Sequence, residues 1–182
     1  MIALAGPNGA GKSTFFHSHL SAAGLRFVDA DVVARELGID AYAAAALADA
    51  LRRELVTQHE SFVFETVFSD PVAEKLTFLK EVASSGCTVV LLFVGVSGPE
   101  ICEERVAMRV AQGGHAVPAE KVAARYPRTL ANLALAIREL PHVLVFDNDD
   151  LTSPYRRVLV IENGEITFRA DPVPAWVGRL LP

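Results

Sequence analysis

The chemistry-bearing part of this sequence is a run of nine residues, Gly6-Pro7-Asn8-Gly9-Ala10-Gly11-Lys12-Ser13-Thr14. Its first eight residues fit the pattern G-x-x-x-x-G-K-[ST] in full. Glycines at these positions let the backbone curl until several N–H groups point inward, and a helix N-terminus behind them adds positive potential. Together they form a cradle for phosphate. Lys12 reaches the β- and γ-phosphates of a nucleotide, the Ser13 hydroxyl suits a Mg²⁺ ligand, and Thr14 serves the α-phosphate. The expected ligands are therefore ATP and Mg²⁺. The loop does not say whether the phosphate passes to water or to another acceptor.

Two carboxylates sit where an acceptor would need them. Asp31 follows the apolar run in Phe-Val-Asp-Ala-Asp, and Glu65 ends the run in Phe-Val-Phe-Glu-Thr. In open α/β sheets ligands bind beyond the carboxyl ends of the strands. Asp31 fits a base that takes the proton of an acceptor hydroxyl; a helix N-cap is its structural alternative, unless Asp29 caps instead. Glu65 either binds the acceptor or holds a Mg²⁺-bound water; otherwise it ends an edge strand. Thr66 and Ser69 are nearby hydroxyls for the acceptor, or simply turn formers.

Four arginines lack acidic neighbours at helical spacing. Arg105 and Arg109 are four apart, Arg125 and Arg128 three apart, and no Asp or Glu stands three or four residues from any of them. Like charges so placed repel by a few tenths of a kcal/mol, which a polyphosphate would offset. Gln112-Gly113-Gly114-His115 between the pairs reads as a joint, so residues 112–128 read as a lid that carries arginines to the phosphates. His115 is a hinge or an acceptor contact, or a plain loop residue. Solvated surface arginines are the alternative.

These residues need elements to hold them. Strands are expected at Ile2–Ala5, Arg26–Ala30, Ser61–Glu65, Cys87–Val94 and His142–Phe146, with helices at Lys12–Ala23, Val32–Leu37, Asp40–His59, Pro71–Ser84, Pro99–Ala111 and Ala119–Leu140. In the Asp40–His59 helix, Tyr42, Leu47, Leu51 and Leu55 are spaced to share an inner face. Pro127 should kink or divide the Ala119–Leu140 helix. Asn163-Gly164 between Arg157–Ile161 and Glu165–Arg169 signals a hairpin, spanning about 155–169 with its flanks. A last helix is expected around Ala175–Leu181. Strand–helix alternation gives an α/β fold: a doubly wound, mainly parallel five-stranded sheet with a helical lid and a C-terminal β-hairpin, in a single domain over 1–182.

Composition narrows the partners. The 182 residues carry a net charge of −5, which argues against long nucleic acid as a ligand. No apolar run is long enough to span a membrane, and a phosphate-binding loop fills the place of a signal peptide. A cytoplasmic protein is expected. Cys87 and Cys102 are too few for a disulfide framework and read as reduced, buried residues.

The full set of motifs resembles the small members of the zeta-toxin kinase family. It comprises the phosphate loop, Phe-Val-Asp-Ala-Asp, Phe-Glu-Thr-x-x-Ser, Arg-Val-x-x-Arg-Val-x-x-Gly-Gly-His-x-Val-Pro, and Arg125-Tyr-Pro-Arg128-x-Leu-x-Asn132. The resemblance covers roughly residues 1–150. It implies a P-loop kinase that phosphorylates a small-molecule hydroxyl, such as that of the UDP-activated amino sugar UDP-N-acetylglucosamine, and an antitoxin protein as partner. By the same resemblance Lys12 binds phosphate, Asp31 is the catalytic base, Glu65 and Thr66 lie in the acceptor site, and Arg109 and Arg125 are the catalytic arginines, with Arg105 and Arg128 also on the phosphates. A nucleotide or polynucleotide kinase is the alternative enzyme, and an ATP-binding switch the alternative without catalysis. The sequence argues against a transporter-type ATPase, because neither its Leu-Ser-Gly-Gly-Gln signature nor a strand ending in Asp-Glu occurs.

Overall fold

A computed structural model describes residues 1–114 and 116–181. The central strand β1 (Ile2–Ala5) leads into the phosphate loop and then into a helical segment that changes form as it goes. It is α-helical at α1 (Lys12–Phe15), π-helical at Phe16–Leu20 and 3₁₀ at Ser21–Ala23. Next come β2 (Arg26–Val28), α2 (Ala30–Leu37), α3 (Ala41–Thr57), β3 (Phe62–Thr66), α4 (Glu74–Ser84), β4 (Val90–Gly95), α5 (Pro99–Ala111), α6 (Ala119–Glu139) and β5 (Val143–Asp147). The chain ends with β6 (Arg156–Glu162), β7 (Glu165–Arg169) and α7 (Ala175–Gly178).

The seven strands form one sheet in the order β2-β3-β1-β4-β5-β6-β7. The first five are parallel; β6 joins β5 antiparallel, and β7 joins β6 in the same sense. The expected hairpin is thus part of the sheet and covers the β5 edge. Strand alternation divides two cores. Ala3, Ala5, Phe62, Phe64, Leu91 and Phe93 enter the larger one. Leu4, Val63, Leu92 and Val94 enter the other with Phe15 and Phe16. Period-2 alternation with both faces apolar is what a sheet covered on both sides demands. A third, smaller cluster (Val96, Cys102, Val106, Val122 and Tyr126) joins α5 to the first half of α6.

Several expectations need correction. The inner face of α3 is Ala44, Ala48, Arg52 and Leu55, while Tyr42 is 85% exposed and Leu47 is 44% exposed. Small alanines let the helix approach closely, so bulk apolar spacing misplaces its face. Strand β2 stops at Val28 because Asp29 already caps α2, accepting a hydrogen bond from the Asp31 N–H at 2.8 Å. Helix α4 begins at Glu74 rather than Pro71, after Ala73 takes a left-handed φ of 52°. Pro127 does not divide α6. Pro127 and Ala123 are both exposed, so the carbonyl that loses its donor faces water. The final helix ends at Gly178. Cys87 is only half-buried, and both cysteines are free thiols. Among the described residues no helix is long and apolar enough to cross a membrane.

Candidate active site

The phosphate loop runs from the end of β1 to the start of α1, and its shape depends on residues without side chains. Gly6 has φ of 144°, and a Cβ there would lie 2.0 Å from the Val94 carbonyl oxygen of β4. Gly9, an unspecified position in the motif, has φ of 77°; its Cβ would lie 2.6 Å from the Cys102 carbonyl of α5. Only glycine tolerates both the left-handed backbone and that approach. Lys12 turns inward, 5% exposed. Its Nζ donates to the Pro7 carbonyl at 3.1 Å and lies 3.5 Å from Glu65 Oε1.

Glu65 arrives from the neighbouring strand. In the parallel β1–β3 register Leu4 pairs with Glu65 and Ala5 with Thr66, which sets the carboxylate level with the end of β1. Its Oε2 accepts a hydrogen bond from Ser13 Oγ at 3.0 Å. The group of Lys12, Ser13 and Glu65 therefore joins three chemistries: a cation, a hydroxyl and a carboxylate. Mg²⁺ takes one or two protein oxygens and fills the rest of its octahedron with water and phosphate oxygens. Ser13 and Glu65 are an oxygen donor set of that kind and fit the ion.

Two cavities meet at Glu65. One, of about 420 Å³, is lined by the loop, Lys12, Ser13, Thr14, Arg105 and Arg109. The other, of about 350 Å³, is lined by Asp29, Asp31, Thr66, Arg52 and Arg125 among others. Asn8 and Glu65 belong to both. The buried Asn8 Oδ1 has no hydrogen-bond partner among the described residues, so it is an acceptor waiting at the junction. A phosphate donor in the first cavity and an acceptor in the second would face one another across that junction.

The carboxylates of the second cavity differ. Asp29 is half-buried and committed to the N-terminus of α2; burial first, and the nearby Glu65 charge second, push its carboxyl upward from the ordinary value. Asp31 stands in the first turn of α2, exposed, on the same cavity and without the capping role. Thr66 lines the cavity as well, and its Oγ1 accepts from the Phe68 N–H at 3.0 Å.

The arginines separate into three situations. Arg105 and Arg109 face the phosphate cavity from α5. Arg105 Nη2 donates to the Asp149 carbonyl at 3.0 Å, while its buried Nη1 has no partner among the described residues. Arg125 faces the second cavity from α6. Arg128 lines neither cavity: its Nε donates to the Ser69 carbonyl at 3.1 Å. With Thr129 on the Val67 carbonyl and Asn132 on those of Phe68 and Asp70, it ties α6 to the loop after β3. Ser69 takes part through its backbone carbonyl. His115 lies outside the described residues.

Two supporting residues were not apparent in the sequence. Asn148, 3% exposed, donates to the Ala10 carbonyl at 2.8 Å and accepts from the Tyr155 N–H at 3.2 Å. The Tyr155 hydroxyl donates to the Gly11 carbonyl at 3.0 Å. Both brace the phosphate loop from the segment between β5 and β6. The only available signal was the place of Asn148 just past the carboxyl end of a parallel strand. Arg52 and Lys75, in the second cavity, were also missed.

Residues 1–130 match the family model described as an AAA domain. No curated protein matches the chain. Among solved structures it is similar to AvrRxo1-ORF1:-ORF2 with ATP, at 18% identity and a TM-score of 0.72 over 91% of this chain. It spans 59% of the length of that chain. It is also similar to a chain of the PezAT toxin–antitoxin system of Streptococcus pneumoniae, at 13% identity and a TM-score of 0.61, covering 98% of this chain and 76% of that one. A gluconokinase from Sinorhizobium meliloti 1021 follows at 21% identity and a TM-score of 0.51, covering 80% and 81%. At these identities the likeness shows the fold alone, a mainly parallel α/β sheet.

Proposed function

The chain belongs to the AAA-domain family, and from that footing we propose that it is an ATP-dependent phosphotransferase acting on the hydroxyl of a small molecule. The observation that carries the proposal is the sharing of Asn8 and Glu65 by a phosphate cavity and a second cavity with its own carboxylate. An ATPase or a nucleotide switch has no use for the second cavity.

In this reading Gly6–Thr14 hold the triphosphate through backbone N–H groups and Lys12, with Arg105 and Arg109 over its outer oxygens. Mg²⁺, when bound at Ser13 and Glu65, neutralises phosphate charge. Asp31 orients the acceptor hydroxyl and takes its proton as the acceptor oxygen bonds to the γ-phosphorus and the bond to the departing ADP oxygen breaks. General-base help of this type contributes about 10²–10⁴-fold. Arg125 holds the acceptor side as residues 112–128 cover the junction and exclude water. A UDP-activated amino sugar as acceptor, an antitoxin protein as partner and a cytoplasmic setting come with the zeta-toxin resemblance and belong to the proposal.

The test is direct. The protein is incubated with Mg·ATP and a panel of UDP-sugars, simple polyols, nucleosides and oligonucleotides. Mass spectrometry then looks for a gain of about 80 Da, the mass added by one phosphoryl group. ATP consumed with no acceptor gaining mass would point to hydrolysis and refute the reading.

A further inference from the structure

The second cavity holds more cations than its own carboxylates satisfy. Arg52 is 5% exposed, and its guanidinium lies over the Phe64 ring at 4.9 Å from the centroid. It shares one carboxylate with Lys75: both pair with Asp49 Oδ1, Lys75 at 3.0 Å. Lys121 and Arg125 reach the same cavity from α6, on one face of that helix, and neither has a carboxylate ion pair among the described residues. Three helices thus bring four cations to one space of about 350 Å³.

The remaining acids there are spoken for. Glu65 is held by Lys12 and Ser13, and Asp29 by the N-terminus of α2. Asp70 and Glu74 lie outside the cavity lining; Asp70 Oδ2 accepts from the Lys75 backbone N–H at 3.3 Å, and its buried Oδ1 has no hydrogen-bond partner among the described residues. Among the described residues that line the cavity, Asp31 is the carboxylate with no partner for its side chain, and the transfer reaction needs it. Burial first, and then the neighbouring Arg52 charge, push Lys75 below its ordinary value; burial also takes Arg52 down to about 10. Arg52 and Lys75, partly desolvated and sharing the one Asp49 carboxylate, are costly to hold close until a further anion joins them.

We propose that this wall is an anion subsite: the acceptor carries, beside its hydroxyl, a carboxylate or a phosphate that Arg52 and Lys121 hold, with Lys75 and Arg125 adjoining. This rests on the phosphotransfer reading and narrows its substrate class to hydroxylated anions. A neutral polyol would leave Arg52 sharing Asp49 with Lys75 and Lys121 without an ion pair, and would give up charge-assisted hydrogen bonds.

The test uses three molecules alike except for that group: ribose, ribonate and ribose 5-phosphate. Binding to the whole protein is measured calorimetrically at low salt, with the phosphate cavity filled by Mg·AMP-PNP. At least one anion should bind about tenfold or more tightly than ribose, the gain expected of a charge-assisted contact. The tighter of the two anions tells carboxylate from phosphate. Arg52→Gln and Lys121→Gln should each cost about tenfold in anion affinity and leave AMP-PNP affinity unchanged. Lys121 is exposed, so its variant tests the idea even if Arg52→Gln impairs folding. Ribose binding as well as the anions, no saturable binding of either anion, or indifference to Lys121→Gln overturns the proposal. Anion binding without transfer to any acceptor refutes phosphotransfer and leaves the subsite standing; transfer to ribose as fast as to ribonate and ribose 5-phosphate does the reverse.

Discussion

The carboxylate of Glu65 and the hydroxyl of Ser13 are hydrogen-bonded at 3.0 Å, across 52 residues of sequence. That contact exists because β3 lies beside β1 in parallel register, and it puts a carboxylate on both the phosphate cavity and the second cavity. Glu65→Gln keeps a hydrogen-bonding oxygen for Ser13 and removes the charge. It should raise KM for Mg·ATP and for the acceptor together. Steady-state kinetics in both substrates check this, and a rise in one alone would assign Glu65 to one cavity only.

Lys12 and Asp31 should fail in different ways. Lys12→Ala removes the buried cation of the phosphate cavity, so ATP affinity and turnover both fall. Asp31→Asn leaves that cavity intact, so ATP binding by calorimetry should stay within about twofold while transfer drops by roughly 10²-fold or more. Transfer unchanged in Asp31→Asn would eliminate the base.

Arg109 and Arg125 lie on separate cavities, and their substitutions should separate kinetically. Arg109→Ala should lower kcat by about 10³-fold, as loss of a phosphate-stabilising arginine does elsewhere. Arg125→Ala should act mainly on the acceptor KM. Losses under about tenfold for both would remove them from the transfer reaction.

The brace on the phosphate loop should show in stability. Asn148→Ala leaves the Ala10 carbonyl and the Tyr155 N–H without their partner, at a cost of roughly 1–3 kcal/mol. Tyr155→Phe removes one hydrogen bond to Gly11 and should cost about 1 kcal/mol. Gly9→Ala forces a Cβ against the Cys102 carbonyl and strains a φ of 77°, with a penalty of about 1–3 kcal/mol. In a chain of this size each kcal/mol lowers Tm by roughly 2–4 °C. Asn148→Ala and Gly9→Ala should also weaken ATP binding, because both distort the loop itself.

Alkaline pH should destabilise the α5–α6 cluster. Burial pushes the Cys102 thiol up to about 12 from an ordinary 9.0. It likewise pushes up the Tyr126 hydroxyl, which donates to the Val96 carbonyl at 2.7 Å. The folded state therefore keeps protons that the unfolded chain releases first. The stability from Cys102 is complete below about pH 9 and is lost as pH rises from about 9 to about 12. Denaturant midpoints across that range should fall, and Cys102→Ala should flatten the fall. A midpoint independent of pH to 11 would contradict the burial argument.

Local chemistry was written into the chain and could be read there. The phosphate loop is contiguous, so Gly6 to Thr14 were legible without knowing any neighbour. The strands β1 and β3 announced themselves through apolar runs and the hairpin through Asn163-Gly164, while the cap of α2 stayed open between Asp29 and Asp31. What stayed hidden depended on which strands lie side by side and which way a helix is turned. Asn148 meets Ala10 across 138 residues only because β4 and β5 order themselves beyond β1. Arg52 points inward because three alanine-rich turns of α3 offer no bulky stripe to fix the helix face, and packing on Phe64 then chose one. Residue identity along the chain thus determined a phosphate-binding α/β protein. Strand order and helix rotation, set by packing of the whole sheet, decided which carboxylates and cations share its second cavity.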